Sequence, residues 1–268
     1  MRRMLLAAAI AACGTALAQS GGDNTMREIE RYREALAADN PAELWEARGE
    51  DLWKQKRGPR NASLEQCDLG LGPGKVKGAY VQLPRFFADT GKVQDLESRL
   101  VSCVTQLQGI PREDVVRQPF GAGSERKSDM ESLVAWITSE SRGMKMAVPM
   151  AHPEEKRMYE VGRQIFFHRG GTHDFACATC HSGDDKRIRL QDLPNLMTKD
   201  GAQRAYTTWP AYRVSQGEVR TMQHRLWDCF RQQRFPEPGY ASDAITALTS
   251  FLAKNADGGE YKAPTQKR

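Results

Sequence analysis

The chain has 268 residues, six cysteines, five histidines and a formal charge of +5. With 40% hydrophobic and 27% charged residues it can bury a core, which excludes a disordered or fibrous protein. No apolar run reaches the roughly 18 residues of a membrane span, and six cysteines are too few for a disulfide-framework miniprotein of this length.

The N-terminus reads as an export signal, residues 1–18. Arg2 and Arg3 form a charged start, Leu5 to Ala12 an apolar stretch, and Ala16-Leu17-Ala18 a small-x-small cleavage site. Ile10-Ala11-Ala12-Cys13 also resembles a lipobox. Cleavage after Ala18 removes Cys13 and leaves five cysteines in a compartment where disulfides persist. An odd number there leaves at least one cysteine for another task.

Residues 26–56 carry a helical pattern broken at Asn40-Pro41, and the Gly- and Pro-rich residues 57–90 read as loops. Val93, Leu96, Leu100, Val104 and Leu107 recur at helical spacing, with Gly109 and Pro111 ending the segment. Ser128-Asp129-Met130-Glu131 is a capping box that opens a helix with Met130, Leu133, Val134 and Ile137 on one face. Residues 143–152 read as a linker. Pro153 suits the first turn of a helix bearing Met158, Val161, Ile165 and Phe166. A last helix follows Ser242, with Ile245, Leu248 and Leu252 as its stripe, and a basic tail ends the chain. No strand pattern stands out, so the expected class is mainly α with long loops. Long loops in small helical domains need something else to organise them.

Cys177-Ala178-Thr179-Cys180-His181 is C-x-x-C-H, the attachment motif of c-type haem. Each thiol can bond one haem vinyl group, and the adjacent His181 reaches the iron. A thioredoxin-like redox pair would need a βαβ setting, whereas these flanks are helical. A zinc site would need a second ligand pair, and the sequence has no second C-x-x-C. Met197, Met222, His224 and Cys229 are the downstream options for the second axial ligand. Methionine suits a plain electron carrier, and a thiolate lowers the potential and suits a catalyst.

The chain also carries a loose internal repeat. Arg99-Leu100-Val101-Ser102-Cys103 and Arg225-Leu226-Trp227-Asp228-Cys229 both read R-L-x-x-C, and Gly49 to Trp53 precedes Cys67 much as Gly162 to Phe166 precedes Cys177. In the first copy Gly70 and Leu71 stand where a second cysteine and a histidine would be, so that half cannot attach haem. Cys67 and Cys103 would then face each other as a disulfide, and Cys229 would lie on the distal side of the surviving haem. Arg225, four residues before Cys229, shares its helix face. A planar guanidinium beside a reactive sulfur suits a small oxyanion. Arg213, Arg220, Arg231 and Arg234 crowd the same segment, but it lacks the aromatic interleaving and long basic stripe of a nucleic-acid binder. His168, His173 and His224 could ligate a second metal.

At this point the residues resemble the SoxA family, the catalytic cytochrome subunits of the periplasmic thiosulfate-oxidising Sox system. The resemblance runs from Arg57-Gly58-Pro59 through Cys67-Asp68-Leu69-Gly70, Leu83-Pro84-Arg85-Phe86-Phe87 and Thr90-Gly91-Lys92-Val93. It continues in Phe175 to His181, Trp209-Pro210-Ala211-Tyr212-Arg213 and, most specifically, Arg225 to Phe230. Some members carry two haems, and lacking a first C-x-x-C-H this chain resembles the single-haem branch.

The resemblance implies two cytochrome c-like domains, a degenerate haem-free one over residues 19–147 and a haem-binding one over residues 148–268. It implies an L-cysteine S-thiosulfotransferase that pairs with a SoxX-type cytochrome and conjugates thiosulfate to a cysteine of a SoxYZ-type carrier. Carried over, Cys177 and Cys180 hold one haem c. His181 and Cys229 ligate its iron, Cys229 is the active-site sulfur, often a persulfide in the family, and Arg225 binds thiosulfate. The competing expectation is a plain periplasmic electron carrier with His/Met ligation.

Overall fold

The computed structural model describes residues 27–28, 31, 39–123, 125–188 and 191–267. The export signal and its cleavage site lie outside them. Residues 1–40 form a unit of their own, in which Arg31 pairs with Glu28 one helical turn away. The second unit runs from Pro41 to Arg268.

In chain order that unit comprises helix α1 (Glu43–Lys54), a 3-10 turn (Tyr80–Gln82), strands β1 (Arg85–Phe87) and β2 (Lys92–Gln94), and α2 (Leu96–Cys103) with a π-helical extension (Val104–Gln108). Next come α3 (Arg112–Arg117), α4 (Asp129–Ser139), α5 (Pro153–Phe167), α6 (Cys177–His181), β3 (Arg187–Ile188), β4 (Gln191–Asp192) and α7 (Lys199–Tyr206). The rest is β5 (Ala211–Arg213), β6 (Glu218–Arg220), α8 (Met222–Gln232), α9 (Asp243–Asn255) and β7 (Thr265–Lys267).

Two helix crossings frame this unit. α1 crosses α4 where Gly49 meets the Ser132 carbonyl and the Trp136 side chain, and α5 crosses α9 where Gly162 meets the Ala247 carbonyl and Phe251. A β-carbon at either glycine would collide with the facing carbonyl, so only glycine lets the backbones come this close. α9 buries Ile245, Leu248, Phe251 and Leu252 along one stripe. Local chemistry sets the helix starts. The Ser128 hydroxyl accepts from the Glu131 N–H. The His152 ring accepts from the Glu154 N–H, while Glu155 accepts from the His152 N–H and Pro153 fills the first position. The Ser242 hydroxyl caps α9. The Ser128 box is only half made, because the Glu131 carboxyl meets the Gly121 N–H and His224 instead of the Ser128 N–H.

Among the described residues seven short strands depart from the strandless expectation, although the fold remains helix-rich. None exceeds three residues, too short for an alternating pattern to register in sequence. Val93 accordingly belongs to β2, and the helix begins behind Asp95, whose carboxylate accepts from the Ser98 N–H. β7 runs parallel to β5, giving the order β6-β5-β7.

The repeat is longer than its sequence signature. β1, β2 and α2 recur as β5, β6 and α8 with the same strand lengths and the same turn, whose glycines Gly91 and Gly217 have φ of 64° and 66°. Asp95 and Thr221 are the matching helix caps, and Arg99/Arg225, Leu100/Leu226 and Cys103/Cys229 follow in step. Cys67 and Cys103 form a disulfide. The two copies touch reciprocally at their helix starts. The Thr221 hydroxyl donates to Glu97 at 2.7 Å, and the Gln223 amide donates to Asp95 at 2.7 Å.

Candidate functional site

α6 is little more than one helical turn. Its start is fixed by the Ala176 N–H donating to the Thr179 hydroxyl at 2.9 Å, so a residue between the two cysteines holds the motif in helical form. Positions 177, 180 and 181 then share one side. All three line a cavity of about 970 Å³, the upper end of the roughly 300–1,000 Å³ typical of small-molecule sites. Its apolar wall includes Phe166, Leu193, Tyr206, Trp209, Leu226 and Leu248.

His181 Nδ1 lies 3.0 Å from the Pro194 carbonyl oxygen. An oxygen there can only accept, so Nδ1 carries the proton and Nε2 keeps its lone pair. Burial holds the imidazole below its ordinary pKa, which favours this neutral form.

α8 brings Met222, Arg225, Leu226 and Cys229 to the same cavity. Of the four options for a second ligand, Met222 and Cys229 thus share the space of His181. Met197 is 46% exposed and does not line it. His224 faces a separate open groove of about 850 Å³ and is bonded to Glu131 at 2.6 Å. Among the described residues no group of three His, Cys, Asp or Glu side chains could hold a metal ion, and His168 and His173 stand apart from the cavity lining.

Burial pushes the Cys229 thiol above its ordinary pKa, with the Arg225 guanidinium pulling the other way. Burial also pushes Cys177 up to about 12, and the neighbouring Cys229 adds to it. Arg213, Arg220, Arg225 and Lys267 line the cavity as well. One carboxylate, Asp228, meets Arg231 at 2.8 Å, Arg220 at 3.5 Å and Arg225 at 3.6 Å. Lys267 was not singled out from sequence. It arrives through the parallel β5–β7 pairing, which sets it opposite Arg213 and which the tail's basic composition does not signal. The Pro194 carbonyl was equally illegible, since any backbone oxygen could have served.

The first half keeps the hairpin-and-helix framework. Cys67 is bonded to Cys103, and Gly70 lies against the Arg85 side chain, whose guanidinium donates to the Gly70 carbonyl at 2.7 Å.

Comparison with known proteins accounts for both halves. The cytochrome c domain model of SoxA/TsdA matches residues 48–146 and again residues 161–260. The chain belongs to the SoxA family. It is 53% identical to the L-cysteine S-thiosulfotransferase subunit SoxA of Hydrogenophilus thermoluteolus, over 91% of this chain and 88% of that protein. It is 30% identical to the subunit of the same name from Hydrogenobacter thermophilus, over 90% of this chain and 91% of that protein. The crystal structure of SoxXA from P. pantotrophus matches with a TM-score of 0.72 at 26% identity, covering 89% of this chain and 84% of that one.

A cytochrome c domain implies covalently bound haem c, and the residues fit it. Two thiols outside any disulfide, an imidazole with one nitrogen free and apolar side chains such as Phe166, Trp209 and Leu226 converge on one cavity of suitable size.

Proposed function

We propose that this SoxA-family chain is the catalytic haem subunit of an L-cysteine S-thiosulfotransferase. It acts in the periplasm after loss of residues 1–18, beside a SoxX-type cytochrome, and uses thiosulfate and a SoxYZ-type carrier cysteine as substrates. The observation that carries this reading is the placement of Arg225 and Cys229 one helical turn apart in the cavity of Cys177, Cys180 and His181.

The reaction joins the carrier's cysteine sulfur to the sulfane sulfur of thiosulfate. One S–S bond forms, one S–H bond breaks, and a proton and two electrons leave. Cys177 and Cys180 would hold haem covalently, with His181 and Cys229 as the residues available to its iron, and it would supply one-electron acceptance, the second electron going to a partner cytochrome. The Pro194 carbonyl fixes the His181 ring for ligation, as such outer bonds commonly do. Arg225 pairs with the dianion and offsets the cost of desolvating it, and the same guanidinium draws the buried Cys229 towards its thiolate. The first half, residues 19–147, carries no haem in this reading. It serves as the body against which α8 is held, through Asp95 and Glu97.

Met222 in the same cavity supports a second reading, a His/Met electron carrier. Cys229→Ser separates the two. In the thiosulfotransferase the variant keeps one covalent haem by intact mass, pairs with its partner, and loses thiosulfate conjugation to the carrier. Unchanged conjugation in the variant would remove Cys229 from the chemistry, and a methionine-type near-infrared band in the ferric parent, without conjugation, would leave the electron-carrier reading standing.

A further inference from the structure

The duplicated hairpin and helix provide an internal comparison for Arg225. Its counterpart Arg99 is only 5% exposed and fully engaged. It donates to both Asp89 oxygens at 2.9 and 2.8 Å, to the Asp68 carbonyl at 2.7 Å and to Gln94 at 3.3 Å, and its guanidinium lies 4.1 Å from the Phe87 ring centroid. At the matching positions of the second half, Phe87 becomes Arg213, Asp89 becomes Ser215 and Gln94 becomes Arg220. Arg225 has therefore lost its bidentate acid and its aromatic platform. It is 33% exposed and, among the described residues, its one ion pair is a 3.6 Å approach to Asp228, a carboxylate shared with two other arginines.

Lys267 adds a cation that the first half lacks. β7 sets it beside Arg213, and its ammonium is 5.8 Å from the Trp209 ring centroid. Among the described residues neither Lys267 nor Arg213 forms an ion pair with a carboxylate. The Arg213 guanidinium bonds the neutral Gln216. Arg213, Arg225 and Lys267 line the same cavity, and burial with the charges of the two arginines pushes Lys267 down to about 8. Asp228 offsets part of the charge of Arg225 and Arg213, and the positive surplus that remains favours an incoming anion.

We propose that Arg213 and Lys267 complete, with Arg225, a three-cation seat for the sulfonate end of thiosulfate beside Cys229, and that the serine at position 215 keeps this seat open. This rests on the thiosulfotransferase reading and deepens it. Arg225 lies one turn from the reacting sulfur. Arg213 and Lys267 are positioning residues for the end of the substrate that does not react. They bind it equally in the ground and transition states, so their loss raises KM and spares kcat. Haem propionates are the other oxyanions these cations could take, and the test separates the two.

The test uses the haem-loaded heterodimer. Thiosulfate affinity is read by calorimetry without carrier, kcat and KM with carrier, and the iron midpoint potential by titration. Lys267→Met and Ser215→Asp, which restores the first half's acid, should each weaken thiosulfate binding at least tenfold, raise KM in proportion, and leave kcat and the potential unchanged. Lys267→Arg should stay within about threefold of the parent, and Ser215→Asn, equal in size to aspartate without its charge, within twofold. Unchanged thiosulfate affinity in Lys267→Met and Ser215→Asp overturns the seat, and a shifted potential with intact affinity reassigns the cations to the propionates. If the parent heterodimer itself fails to bind or turn over thiosulfate, the functional reading falls, and the seat with it.

Discussion

At Cys229 two effects oppose each other. Burial favours the neutral thiol, and Arg225 favours the thiolate. The guanidinium is therefore asked to do two things, hold a dianion and activate a sulfur, and both are lost together when it goes. Arg225→Met should lower kcat/KM by about 10–100-fold, the scale of one or two charge-assisted hydrogen bonds, with kcat falling as well as KM rising. Arg225→Lys should recover only part, because an ammonium keeps the charge without the planar fork. Steady-state kinetics of the two variants check this, and a change confined to KM would move Arg225 into the same class as Lys267. At this scale the contiguous groups were legible. C-x-x-C-H and R-L-x-x-C are short because one helical turn brings their members together. Lys267 and the Pro194 carbonyl were not, because each reaches the site through tertiary pairing that leaves no trace in local spacing.

Among the elements, the crossings at Gly49 and Gly162 bear the most consequence per atom. The helices meet backbone to backbone there, so a methyl group cannot be absorbed by turning a side chain. Gly162→Ala should destabilise the chain by at least about 1–3 kcal/mol, the range of core overpacking, despite alanine's better helix propensity. It should also cut haem incorporation, since α5 carries Phe166 into the cavity wall. Urea denaturation and haem content by intact mass measure both, and a stabilised variant would mean that the crossing opens without cost. Helix starts at Ser128, Pro153 and Ser242 were readable because capping is settled within four residues. The hairpins were not, because three-residue strands take their order from a turn glycine and from the neighbouring copy.

For the molecule as a whole, the junction between the two copies is polar and buried. Burial holds Glu97 and Glu131 well above the ordinary carboxyl range and pushes His224 down to about 4. Both shifts favour the neutral form of each member of the His224–Glu131 pair. Glu131 Oε1 and His224 Nδ1 lie 2.6 Å apart, and the other Glu131 oxygen accepts from the Gly121 N–H at 2.9 Å. Sequence presented Glu131 as the second half of a capping box, and its actual partner lies 93 residues away. A carboxyl whose folded pKa is raised takes up a proton on folding. Its contribution is complete below the unfolded value of 4.5 and is lost as pH rises towards the folded one. His224 has the opposite sense, and its contribution is lost as pH falls from 6.5 through about 4. Glu131→Gln separates the two effects, because the amide can donate to Nδ1 and accept from Gly121 without titrating. Its stability relative to the parent should rise with pH from about 5, by up to about 1.4 kcal/mol per unit, until the folded pKa of Glu131 is passed. Denaturation midpoints of both proteins from pH 5 to 9 give the slope directly. A flat difference would mean that Glu131 is already ionised in the folded chain, and that the junction is held by an ion pair instead of a shared proton.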